Sequence, residues 1–157
     1  MEDQRPKTLE HIEQVRKLLD FFCGELFYRG KVHDSSKLEN PEREIFDEYT
    51  PKLRDTTYGS DKYKEYLKGM KVALEHHYAN NRHHPEHFKD SYNDGKWSPL
   101  SSMNLVDIVE MFCDWKAATL RHADGDIRKS ISINQKRFGF SDELASILLN
   151  TVKILEL

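Results

Sequence analysis

Cysteine is nearly absent from this chain: Cys23 and Cys113 are the only two. Two thiols build neither a disulfide framework nor a cysteine-based zinc site, and they fit a reducing compartment. Glycine is also scarce. Its seven residues cluster at expected turns, which favours helices over many short strands. No apolar run approaches the roughly 18 residues a membrane span needs. The leading stretch MEDQRPKTLEH is charged and has no apolar signal-peptide region. Basic charge is not in excess either: the net charge is −3 with no basic run, which argues against nucleic acid as a partner. P-loop, GxGxxG, GxSxG and HExxH patterns are all missing. With no repeat, linker or low-complexity tract, the 157 residues are expected to form one cytoplasmic domain over 1–157.

What is present is helical periodicity. Ile12, Val15, Leu19, Phe22 and Leu26 recur at helical spacing, which predicts a helix over 8–27 with a core-facing stripe, stopped by Gly30. Asn40-Pro41-Glu42 reads as a helix start, leading to Ile45, Phe46 and Tyr49 and an end near Pro51. A further helix is predicted over 61–77 on Tyr63, Tyr66, Leu67, Met70 and Leu74. The longest non-periodic stretch follows and carries the turn signals Pro85, Asn93-Asp94-Gly95 and Pro99. Ser102 is expected to cap an apolar helix over 103–121, Asp124 a weaker one, and Ser141 a last one through Leu148 and Val152. The expected fold is all-α: a compact bundle of six to seven helices without a convincing strand.

Histidine is the compositional anomaly. There are eight, and His76-His77 and His83-His84 form two pairs within nine residues. His33-Asp34 offers an imidazole nitrogen and a carboxylate oxygen from one short segment, a set suited to Zn, Mn, Fe or Ni. His11 lies on the flank of the first helix's stripe. Asp114 sits among Met111, Phe112, Cys113, Trp115 and Ala117, and a buried carboxylate is costly unless paired or bound to a cation. Asp107, Glu110 and Asp114 share one helical side, so this acidic stripe needs a positive partner, either Lys or Arg side chains or a metal. Asp107 and Asp114 are alternative ligands. Neighbouring helix positions differ by about 100°, so the choice within each histidine pair stays open. Lys37 and Arg82 are candidate anion contacts. The two cysteines read as packing residues.

The ordered set His11, His33-Asp34, His76-His77 and Asp114 resembles the HD-domain superfamily of metal-dependent phosphohydrolases, an all-helical family. Leu9-Glu10-His11 with Val15 resembles its first-helix motif. Val32-His33-Asp34-Ser35-Ser36-Lys37 resembles its HDxxK, and the helix from Ile108 to Thr119 resembles the one carrying its last aspartate. The segment EHHYANNRHHPEHF is loosely similar to the HD-GYP branch, although the GYP residues are absent, and to a small uncharacterised HD-like family of bacteria and phages. The resemblance implies one or two divalent ions per chain (Mn, Fe, Co, Ni or Zn). One would be held by His11, His33, Asp34 and Asp114. A second would be bridged by Asp34 and completed by His76 or His77, with His83 or His84 as further candidates. Asp34 and Lys37 would be catalytic. Arg82, His83 and His84 would position a small phosphorylated substrate, a nucleotide by preference. No membrane partner is implied, and a homo-oligomer is compatible with the sequence. Two other readings keep the same residues. One is a di-iron oxygenase on His11, His33, Asp34, His77, His84 and Asp114; the other is a non-catalytic helical module that binds a nucleotide or protein.

Overall fold

A computed structural model describes residues 3–54, 56, 60–121 and 125–155. The described residues are all-α, with seven α-helices. The chain divides into two units, Met1–His33 and Asp34–Leu157. No described helix is long and apolar enough to cross a membrane.

The first unit is one helix, α1 (Arg5–Val32), with Pro6 in its first turn and Arg29 and Lys31 in its last, the end that favours cations. Gly30 does not stop it. Gly30 keeps helical backbone and is not among the residues with positive φ; glycine permits a left-handed cap but does not impose one. The expected core stripe is not a core. No residue of α1 is buried, and Ile12, Val15, Leu19 and Phe22 are 41–59% exposed. A lone helix has no second element in its own unit against which to bury a face.

The second unit holds α2 (Glu42–Arg54), α3 (Asp61–Gly69), α4 (Lys71–Asn80), α5 (Leu105–Thr119), α6 (Ile127–Phe138) and α7 (Asp142–Leu155). α2 starts one residue after Pro41 and runs through Pro51 for one further turn. The helix expected over 61–77 is two helices. It breaks at Met70, the last cap of α3 and the first of α4. At this break α3 presses on α2: a Cβ on Gly69 would collide with the ring and hydroxyl of Tyr49.

The long segment after α4 is ordered by local chemistry. Tyr92–Asn93 and Lys96–Trp97 form a two-stranded hairpin, with Tyr92 opposite Trp97. Its turn residues Asp94 and Gly95 have φ of 49° and 73°, the left-handed pair that a tight hairpin turn demands. α5 is capped by Asn104, not Ser102. Asp107 N–H donates to Asn104 Oδ1 at 2.9 Å and Asn104 N–H to Asp107 Oδ2 at 3.1 Å, a reciprocal capping box. Ser102 instead accepts from Ser91. Asp126 caps α6; the expected cap Asp124 and the eighth histidine, His122, lie outside the described residues. Ser141 caps α7 by accepting from Leu144 N–H.

The core of this unit comes from α5, α6, α7 and the turn between the last two: Phe112, Ile127, Ile131, Phe138, Phe140, Ala145, Leu148 and Val152 are buried, with Trp97 and Trp115 packed against them. Within the Ile-Ser-Ile of α6, Ile131 is buried at 1% exposure while Ile133 faces out at 65%. Cys23 and Cys113 are both exposed, so neither is the packing residue expected from its neighbours. Cys113 follows Val109 by four residues on the outer side of α5, away from buried Phe112. Truncating a fully buried isoleucine typically costs about 2–5 kcal/mol. Ile131→Ala should therefore lower the thermal unfolding midpoint by several degrees, whereas Ile133→Ala should leave it nearly unchanged; calorimetry of the two variants checks this.

Candidate metal centre

The site is assembled from the turn that opens the second unit and the chain reversal that ends α4. Asp34 opens the second unit in left-handed backbone, φ 55° and ψ 13°, and leads into the 3-10 turn Ser35–Leu38. Its Oδ2 accepts from Lys37 Nζ at 2.6 Å. Its Oδ1 lies 3.3 Å from His77 Nε2 and 3.4 Å from His83 Nε2. His77 projects from the last turn of α4. Asn81 ends that helix in extended backbone, φ −124° and ψ 101°, and its side chain donates to His77 O and Ser36 Oγ, both at 2.8 Å. The chain then turns back, with His84 N–H donating to Asn81 O. This return brings His84 Nε2 within 2.9 Å of His77 Nε2.

One ligand atom each from Asp34, His77, His83 and His84 therefore falls within 4.8 Å of all the others. His77 and His83 are buried; Asp34 and His84 are half-buried, so the cluster has a wetter side. Two buried carboxylates stand behind it. Glu42 Oε2 lies 2.8 Å from His77 Nδ1, and Glu110 Oε1 lies 3.1 Å from His83 Nδ1. An imidazole that donates from Nδ1 to a carboxylate presents Nε2 as a bare acceptor, the usual arrangement around a metal-bound histidine.

The charge state suits a cation. Burial pushes the Asp34 carboxyl up, but His77, His83 and Lys37 outweigh it and hold the group well below the usual carboxylate range. Burial, then the neighbouring His83 and His77, press His84 down to about 3, against a weaker pull from Asp114 and Asp34. At neutral pH the two groups are thus carboxylate and neutral imidazole, the forms that bind metal. Three imidazole nitrogens and one carboxylate oxygen converging on one point fit a borderline divalent ion such as Zn, Fe, Mn, Co or Ni.

The residues singled out in the sequence take distinct places. Asp34, His77, His83 and His84 come together. His83 and His84, expected at the substrate, put their Nε2 atoms among the candidate ligand atoms. His76 turns to the other oxygen of Glu42, Nδ1 to Oε1 2.7 Å, with its side chain 41% exposed. His11 is an exposed residue of α1, and His33 is the residue at which α1 ends. Asp114 is half-buried on α5 and close enough to act on His84. Asp107 is engaged elsewhere: Arg82 donates to it through Nε at 3.2 Å and Nη2 at 2.9 Å, and it closes the α5 capping box. The Arg82 guanidinium lies 5.0 Å over the Phe88 ring. Lys37 stays beside the cluster on Asp34.

Glu42, Ser36 and Asn81 were not singled out in the sequence. The available signal for Glu42 was its spacing: it precedes Ile45, Phe46 and Tyr49 by three, four and seven residues, on the inward side of α2. Glu110 stood in the acidic stripe of α5, and one partner of that stripe is His83.

Residues 1–154 match a family described as a family of unknown function, DUF5662, and the chain belongs to it. No curated protein matches the chain, and no solved structure does.

Proposed function

We propose that this protein is a metal-dependent phosphohydrolase of HD-domain type, acting on a nucleotide or another small phosphate ester. The observation that carries the reading is the convergence of Asp34 Oδ1 with the Nε2 atoms of His77, His83 and His84. The resemblance around Asp34 and Asp114 supports it and adds Asp114, half-buried in the same unit, as a further candidate ligand. A divalent ion held by these residues supplies Lewis acidity and an activated water near neutral pH.

The chain's own groups do the rest. Asp34 joins the ligand set to Lys37, whose ammonium is partly exposed at the edge of the cluster and can meet phosphate charge. The half-buried Asp34 and His84 leave a side on which a substrate can approach, while buried His77 and His83 anchor the other.

The test is elemental analysis of protein purified without a histidine tag, followed by a screen of nucleotides and phosphate monoesters. One or two equivalents of a divalent metal, with phosphate release that a chelator abolishes, is the expected result. Protein that stays metal-free after reconstitution would overturn the reading. Bound iron with oxygen uptake and no phosphate release would move it to oxidation on the same ligands.

A further inference from the structure

We infer that Glu42 is a positioning residue: one buried carboxylate holds two successive histidines, selects His77 rather than His76 as ligand, and fixes the tautomer that turns His77 Nε2 toward the cluster. This deepens the proposed metal site and rests on it.

Glu42 is fully buried, at 0% exposure. Its Oε1 lies 2.7 Å from His76 Nδ1 and its Oε2 lies 2.8 Å from His77 Nδ1; Ser36 Oγ donates to the same Oε2 at 3.1 Å. With a Glu42 oxygen accepting at each of these distances, both imidazoles donate from Nδ1. Asn81 Nδ2 is 3.0 Å from His77 Nδ1 and could dispute that assignment. Its two protons, however, are directed to His77 O and Ser36 Oγ, and the Ser36 hydroxyl, 3.3 Å from His77 Nδ1, gives its proton to Glu42 at 3.1 Å, so His77 Nδ1 is left to donate to Glu42. A neutral imidazole has one N–H. Of the two carboxylates that flank His77, Glu42 Oε2 at 2.8 Å is nearer than Asp34 Oδ1 at 3.3 Å, so the proton sits on Nδ1 and Nε2 is the atom left to bind a cation at the point shared with His84 Nε2 and Asp34 Oδ1. His76, held by the same carboxylate from the next helix position, directs its Nε2 to the outer side, where Asn80 lies 3.4 Å away. A single acid thus sorts an otherwise symmetrical histidine pair into one inward and one outward member.

The experiment uses the full chain, with zinc as the probe. Glu42→Gln keeps the side-chain volume but removes the charge and one of the two acceptors. Competition against a chromophoric chelator should show zinc affinity about 10–100-fold weaker, the usual effect of losing such a partner, with stoichiometry and metal-free melting midpoint little changed. His77→Ala should abolish binding, and His76→Ala should retain the stoichiometry. Nitrogen-15 NMR of the metal-free wild type should find His77 protonated on Nδ1. Unaltered affinity in a folded Glu42→Gln protein would overturn the inference, as would a His77 proton on Nε2. If Glu42→Gln fails to fold, the wild-type tautomer still decides. Wild-type protein that takes up no zinc refutes the proposed function, and the tautomer measurement then judges Glu42 separately.

Discussion

Asp34→Asn should abolish the proposed metal binding and phosphate release together. Asp34 is the one anionic group in the cluster of four, and its Oδ1 faces both buried histidines. Asparagine preserves the shape and removes the charge, and the oxygen it keeps is a far poorer ligand for a divalent ion. Loss of a partner behind a ligand weakens binding by about 10–100-fold, so loss of the ligand itself should exceed that. The ion pair to Lys37 goes as well, but that pair is partly exposed and contributes little to stability. The expected pattern is therefore selective: metal content near zero, phosphate release at background, and a metal-free unfolding midpoint within a few degrees of wild type. Elemental analysis and thermal unfolding of the two proteins side by side check it. Retention of stoichiometric metal by the variant would place the ligands elsewhere.

Arg82→Ala should behave in the opposite way, damaging the fold more directly than the chemistry. The guanidinium reaches Asp107 with two hydrogen bonds, and Asp107 is fully buried at the start of α5. Breaking a buried ion pair by removing one partner costs about 3–5 kcal/mol. Here the arginine is 43% exposed and the Asn104 N–H still donates to the carboxylate, so about 2–3 kcal/mol is the reasonable expectation. For a chain of this size that lowers the unfolding midpoint by roughly 4–12 °C. Substrate affinity, measured below the new midpoint, should change little. A stable Arg82→Ala protein with a sharply raised KM would return Arg82 to the phosphate contact expected from its place between the histidine pairs.

Much of this architecture was legible in the sequence, and the exceptions have a common cause. The apolar spacing of α5 and α7 and the serine before α7 are local signals, and they mark those helices. The break at Met70 is not local: the clash that excludes a side chain at Gly69 comes from Tyr49 on another helix. The start of α5 needed the reciprocal pair Asn104 and Asp107, which outbids the earlier serine by satisfying two donors instead of one. At the candidate site, the histidine pairs and His33-Asp34 were visible as composition. Their order was not, since choosing between His76 and His77 depends on a glutamate 34 and 35 residues away in sequence. The stripe on α1 was read from periodicity alone, and periodicity states which residues share a side without stating what covers it.

The left-handed backbone at Asp34 restricts how this position can drift. Most side chains crowd their own backbone at φ 55°; glycine, asparagine and aspartate tolerate it best. The neutral paths away from Asp34 are therefore narrow, and both of the easy ones, to asparagine and to glycine, discard the carboxylate while leaving the turn into Ser35–Leu38 intact. On the proposed function, a relative that has lost the chemistry is expected to keep this turn and carry one of those two residues here. Alanine at this place would disturb backbone and ligand at once, and so would report on neither alone.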